Sequence, residues 1–137
     1  MAKRSTTLVA LLVLACLSVL MGSAFASAPS ARASHILVKT ETEADDLFTK
    51  LNSATDLKAQ FAEFAKEFSS CPSGRNGGDL GKFGRGAMVG PFDKVVFEKR
   101  MGVVHKVETQ FGWHLVLTTE RTGVDETEIS THGDGDE

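Results

Sequence analysis

Apolar residues change their spacing several times along the chain, and each change marks an element. Residues 34–39, Ser-His-Ile-Leu-Val-Lys, predict a buried strand, with His35, Leu37 and Lys39 on one face and Ile36 and Val38 on the other. Ala44, Leu47, Phe48 and Leu51 then recur at i, i+3, i+4 and i+7, a helical stripe. Thr40 or Thr42 caps this helix, Glu43 completes a capping box with Thr40, and Asn52 and Ser53 end it. A second helix starts near Thr55 or Asp56, with Leu57, Phe61, Phe64, Ala65 and Phe68 on one stripe and Lys58, Glu63, Lys66 and Glu67 opposite. A phenylalanine stripe of this kind reads as core. Ser69, Ser70, Cys71 and Pro72 stop the helix. Residues 79–83 predict a short strand and residues 91–99 a short helix with Phe92, Val95, Val96 and Phe97 inward. Gly102 ends that helix, residues 103–107 are β-prone, residues 109–112 turn, and residues 113–119 form a last strand. Helices between early strands and a closing hairpin make an α+β domain.

Between the second and third helices the periodicity gives way to a stretch with seven glycines and two prolines over residues 71–92. Its apolar residues, Leu80, Phe83, Met88 and Phe92, are large, which a Gly/Ser linker would not carry. The glycines read as positions where backbone turns tightly or approaches another chain segment closely, and the apolar set as a pocket lining.

The N-terminal pattern is of a different kind. Lys3 and Arg4 precede an apolar run from Leu8 to Met21, and small residues follow. Residues 1–26 read as a signal peptide with A-x-A cleavage sites after Ala26 or Ala28. The run is shorter than the ~20 residues of a spanning helix, which argues against a retained membrane anchor. The Val13-Leu14-Ala15-Cys16 sequence faintly resembles a lipoprotein box, but the apolar run continues past it. An alternative is delivery to the plastid of a secondary-plastid alga, with Ser30, Ala31 and Arg32 in a short transit or linker segment, residues 27–32. The expected domain spans residues 33–121, followed by an acidic, disordered tail over residues 122–137.

Of 15 basic and 18 acidic residues, Lys3 and Arg4 leave with the signal peptide and six acids lie in the tail. The domain is therefore nearly balanced in charge, which excludes a nucleic-acid footprint. Of the two cysteines, Cys16 lies in the leader, so Cys71 is alone in the mature chain and no internal disulfide is expected.

Familiar chemical signatures fail. Gly84-x-Gly86-x-x-x-Gly90 misses the dinucleotide fingerprint and lacks its βαβ context. Gly81-Lys82-Phe83-Gly84 matches a GxxG nucleic-acid loop, but on a domain that is not basic. His35, His105 and His114 lack metal-ligand spacing, and no nucleophile elbow is present. What remains is His35 on the first strand and His114 on the last, with Cys71 at a helix end and Thr109 before the final turn. Such histidines are either hydrogen-bonded core residues or a mutually bonded pair whose tautomers are fixed by hydroxyl and thiol neighbours.

Four ordered motifs narrow this further: Ala33-Ser34-His35-Ile36-Leu37-Val38-Lys39, Cys71-Pro72-Ser73-Gly74-Arg75-Asn76-Gly77-Gly78-Asp79-Leu80-Gly81, Phe83-x-Arg85-Gly86-x-Met88-Val89-x-Pro91-Phe92 and Thr109-Gln110-Phe111-Gly112-Trp113-His114. Together they closely resemble the parvulin peptidyl-prolyl cis-trans isomerases, from Ala33 to about Arg121. One departure is a residue fewer between Phe97 and His114, which predicts a shorter loop near His105 and Lys106. The resemblance implies a four-stranded antiparallel sheet surrounded by about four helices. It implies catalytic roles for His35, Cys71, Thr109 and His114, and a proline-ring pocket of Leu80, Met88 and Phe92. It implies a monomer acting on proline-containing polypeptides in protein folding, without metal, cofactor, nucleic acid or stable membrane insertion after cleavage. Phosphate-directed relatives carry an arginine pair after the first strand. Here that region reads Thr40-Glu41-Thr42-Glu43-Ala44-Asp45-Asp46, so no phosphate dependence is expected. The competing expectation is a non-catalytic chaperone or peptide-binding module on the same fold. A redox role for Cys71 lacks a resolving cysteine.

Overall fold

The computed structural model describes residues 27–129. The elements run β1 (Ser30–Val38), α1 (Glu41–Asn52), α2 (Leu57–Phe68), a 3-10 turn (Pro72–Asn76), β2 (Asp79–Gly84), α3 (Gly90–Glu98), β3 (Val104–Thr109), β4 (Gly112–Thr122) and a helical turn α4 (Glu126–Ile129). The four strands form one antiparallel sheet in the order β2-β1-β4-β3, so the first and last strands are its centre. The helices around it are α1, α2 and α3, supplemented by the 3-10 turn and α4.

Local chemistry sets the helix starts. Thr40 accepts from the Glu43 N–H at 3.3 Å while the Glu43 carboxylate accepts from the Thr40 N–H at 3.2 Å, the expected capping box. Asp56, not Thr55, caps α2 by accepting from the Ala59 N–H. Pro91 lies in the first turn of α3, where a missing N–H costs nothing.

The pleat separates two cores. On one face Ile36, Val38, Leu115 and Leu117 pack against Ala44, Leu47 and Leu51 of α1 and Phe61 and Ala65 of α2. On the other, Ala31, Ala33 and Val116 pack against Phe92, Val95, Val96 and Phe97 of α3. The alternation expected for His35 and Ile36 is therefore real.

Three boundaries differ from expectation. β1 begins at Ser30, and Ala31 is 2% exposed, so residues 30–32 belong to the sheet rather than to a linker. Ser-Ala-Arg has little strand signal of its own; it is held by β2 on one side and β4 on the other. At the far end β4 continues to Thr122, and the buried Arg121 guanidinium reaches past it. Arg121 donates to the Val96 and Lys99 carbonyls at 2.8 and 2.9 Å and forks onto Glu126 at 2.7 and 2.6 Å. The start of the expected tail is thus folded onto the end of α3, while residues 130–137 lie outside the described residues. Finally, His105 and Lys106 are inside β3, and the connection falls at residues 99–103, where the His105 ring bonds the Arg100 carbonyl at 2.8 Å. The expected signal peptide, residues 1–26, also lies outside the described residues. No helix among the described residues is long and apolar enough to cross a membrane.

Candidate active site

His35 and His114 sit on adjacent central strands, and their positions are diagonal: His35 faces Val116 across the ladder, and His114 faces Leu37. A diagonal pair on one face is within reach of long side chains. The imidazoles stack at 5.2 Å between centroids, inclined by 18°, with Nδ1 to Nδ1 at 3.0 Å. The outer nitrogens are also engaged: His35 Nε2 with Ser73 Oγ at 2.9 Å, and His114 Nε2 with Thr109 Oγ1 at 2.8 Å. The result is an unbroken chain, Ser73–His35–His114–Thr109. Thr109 Oγ1 also accepts from the Phe111 N–H at 3.2 Å, which ties the chain to the hairpin tip.

Proton counting restricts this chain. One Nδ1 must donate and the other accept, because an imidazole nitrogen in neutral His plays only one role. If His35 donates through Nδ1, its Nε2 accepts from Ser73 and His114 Nε2 donates to Thr109. If His114 donates, every bond reverses. Two protonated rings would oppose N–H to N–H, so the pair carries at most one positive charge. Burial pushes His35 down to about 4, reinforced by the His114 charge, and burial also lowers His114. Both are neutral near neutrality, and the chain can invert its polarity without net charge.

The surrounding backbone explains the glycines. The Gly78 carbonyl accepts from the His35 N–H at 3.0 Å, and a Cβ on Gly78 would lie 2.3 Å from the His35 carbonyl oxygen at φ +80. Only glycine lets this segment lie so close to the first histidine. The Gly78 N–H in turn donates to the Ser73 carbonyl at 2.9 Å, fixing the 3-10 turn that presents the Ser73 hydroxyl.

Phe92 closes the site. Its ring meets His35 edge-on at 5.7 Å and His114 at 5.6 Å, and it is 3% exposed. Half-buried Leu80 and Met88 pack on the same core. The structure thus brings together six of the residues singled out in the sequence: His35, His114, Thr109, Leu80, Met88 and Phe92.

Cys71 is placed differently. It is half-buried and precedes the 3-10 turn, and its backbone N–H donates to Ser69 Oγ at 3.3 Å. Its thiol makes no hydrogen bond to either imidazole; the neighbour on His35 is Ser73. Sequence reasoning missed Ser73, although it stands within the Cys71-Pro72-Ser73-Gly74 motif. A proline opening a tight turn, with a hydroxyl one residue on, was the available signal.

Two clefts lie elsewhere, about 460 Å³ at Thr55, Met101 and Thr118, and about 450 Å³ at Leu37, Leu47 and Phe68. Neither is lined by His35, His114, Thr109 or Phe92. No cluster of metal-ligating side chains occurs among the described residues.

A foldase protein PrsA from a Geobacillus strain is 43% identical over 95 residues, 68% of this chain and 33% of that protein. The peptidyl-prolyl cis-trans isomerase Cbf2 of Campylobacter jejuni, itself named putative, is 42% identical over 91 residues, covering 63% of this chain and 33% of its own length. The chain thus spans about a third of the curated relatives it matches. Among solved structures, the parvulin of Nitrosopumilus maritimus superposes with a TM-score of 0.59 at 32% identity, covering 69% of this chain and 99% of its own. A Campylobacter jejuni structure described as a SurA-like chaperone reaches a TM-score of 0.67 at 38% identity, over 70% of this chain and 40% of that one. Residues 17–122 match the family described as the PPIC-type PPIase domain. Fold and sequence agree, and the chain belongs to the PPIC-type, or parvulin, family of peptidyl-prolyl isomerase domains.

Proposed function

We propose that the domain catalyses cis-trans isomerisation of Xaa-Pro bonds and assists the folding of exported polypeptides. The observation that carries this reading is the closed chain Ser73–His35–His114–Thr109 lying against the Phe92 ring.

The reaction breaks no bond. Its barrier, about 20 kcal/mol, comes from amide resonance, which keeps the peptide planar. A twisted peptide loses that resonance, and its prolyl nitrogen becomes pyramidal and more basic. A site assists when it favours the twisted state over either planar one. Phe92, Met88 and Leu80 hold the pyrrolidine ring in an apolar setting that disfavours the charge-separated resonance form. The imidazole pair lies against the same Phe92 ring. Because the chain inverts polarity without gaining charge, it offers a donor or an acceptor as the carbonyl rotates. Cys71, at the entrance of the turn, sets the polarity near that carbonyl, without a covalent step.

The acids after β1 shape substrate preference. Glu41 and Asp45 pair with Lys106, and Glu43 closes the capping box. A phosphoserine before proline meets acids here, so apolar or basic residues are preferred at that position. Export is supported by the leader-like sequence and by one matched solved structure, described among two related SurA-like chaperones of which one is called periplasmic.

Exchange spectroscopy on an Ala-Leu-Pro peptide tests the reading. The wild type should enhance cis-trans exchange, and His35→Ala should lose most of the enhancement. A folded wild type without enhancement leaves the peptide-binding module as the function. Faster turnover of a phosphoserine-proline peptide than of its unmodified twin would refute the substrate preference.

A further inference from the structure

The residues proposed to grip the proline ring stand on different elements. Phe92 is in the first turn of α3, whereas Met88 belongs to the loop between β2 and α3, residues 85–89. Half-buried Met88 must hold its distance from Phe92 for the pocket to fit a five-membered ring. A loop of this kind has few interactions of its own; a long Ala87 N–H to Gly84 carbonyl bond at 3.4 Å closes its turn.

Asp93, the residue after Phe92, reaches back to this loop. Its Oδ1 accepts from the Gly86 N–H at 2.8 Å, and its other oxygen lies 3.9 Å from Arg85 Nη1. Arg85 is held from two further sides. Nη2 donates to Glu98 at 2.9 Å, and the guanidinium lies 5.3 Å from the centre of the Phe97 ring. Phe97 is itself edge-on to Phe83 of β2 at 6.2 Å. Arg85 and Gly86, three and two residues before Met88, are therefore fastened to the helix that carries Phe92. The Asp93 side chain is 13% exposed, so its bonds meet little competition from water.

Resting on the isomerase reading, we infer that Asp93 is a positioning residue that fixes the width of the proline-ring pocket by tying the Arg85–Gly86 segment, and with it Met88, to the Phe92 end of α3. The consequence is ring selectivity. A five-membered proline ring fits a fixed gap, and a six-membered pipecolic acid ring does not. Loosening the tie weakens ring binding and relaxes this choice, without touching the histidine chain that acts on the amide.

The test measures kcat and KM by exchange spectroscopy on peptides with proline or pipecolic acid at the isomerising bond. Asp93→Ala should raise KM for the proline peptide about fivefold while kcat stays within about twofold. The preference for proline over pipecolic acid should fall in the same variant. Asp93→Asn keeps an oxygen that accepts from Gly86 and should restore most of the preference. A merely stabilising Asp93 would lower the melting temperature but leave KM and ring preference unchanged, and that result overturns the inference; so does an Asp93→Asn variant as impaired as Asp93→Ala. If Asp93→Ala does not fold, Arg85→Met carries the test, since its side chain is 44% exposed. A KM raised about twofold at unchanged kcat then supports the tie, and a wild-type KM refutes it. Absence of any exchange enhancement by the wild type refutes the isomerase reading instead. An active wild type with an unaltered Asp93→Ala refutes this inference alone.

Discussion

The two faces of the sheet are built from alternate residues of the same strands, yet they carry different burdens. Toward α1 and α2 the buried residues are all apolar: Ile36, Val38, Leu115 and Leu117 with Leu47, Leu51 and Phe61. Toward α3 the strands also bury His35, His114, Thr118 and Arg121. A buried polar group costs free energy unless bonded, so the α3 face has partners to supply that the other face does not need. Its histidines and arginine are bonded in full chains. Stability and chemistry are thus divided by the pleat, and a one-residue step along β1 or β4 passes from one to the other.

Breaking the apolar face should give the largest stability effect. Phe61, 1% exposed, leaves a large void when cut to alanine, and Phe61→Ala should lose about 3–5 kcal/mol in urea unfolding. Activity per folded molecule should be retained at low temperature. Unchanged stability would mean that the α2 face is not a core.

The α3 face should instead announce itself through pH. The folded state holds His35 at about 4, against 6.5 for an ordinary histidine. Between these values the unfolded chain binds more protons, so stability rises with pH. It is fully present above about 6.5, falls as pH drops toward 4, and the loss amounts to about 3 kcal/mol. His35→Phe should flatten that part of the profile in denaturant midpoints measured from pH 7 to pH 4; an unaltered slope would place the titration elsewhere.

Smaller still is the effect of the serine. Ser73→Ala leaves His35 Nε2 without its partner, which should lower kcat/KM by about 1–2 kcal/mol, while Cys71→Ala should change it less. Equal losses, or a larger one at Cys71, would reverse the ranking of these two residues. The smallest change should have the opposite sign. Thr118 Oγ1 is buried without a partner, so Thr118→Val removes an unsatisfied hydroxyl and should gain up to about 1 kcal/mol in thermal unfolding. A clear loss would indicate an internal water bonded there.

How much of this was legible depended on range. Helices declared themselves because their stripes and caps are local: Thr40 with Glu43, and Ala44 through Leu51. The His35, His114 and Thr109 set was legible because the motifs that contain it are long and ordered. The exchange of Cys71 for Ser73 at the imidazole was not, because it depends on how tightly the chain turns after Pro72, and that turn is set by Gly78 against a distant strand. The strand at residues 30–32 was hidden for a related reason. Small and charged residues there join the sheet only because both neighbours pair with them. The fold of Arg121 onto Glu126 and the end of α3 likewise joins residues whose spacing has no pattern.

The central position of β1 also governs how the domain is made. Ser30 pairs with Thr122, so the first residues of the sheet find their partners only at its last. A chain emerging from its N-terminus carries β1 with one ladder edge unfilled through the synthesis of almost the whole domain. Contacts of such long sequence separation slow folding, into the range of milliseconds to seconds for sheet-rich domains. During that interval the exposed edge of β1 is a template for wrong pairings. A chain ending at residue 111, with every helix from α1 to α3 intact but no β4, should therefore show no cooperative unfolding transition by circular dichroism. A domain proposed to help other chains fold is itself one that completes its fold only when its final strand arrives.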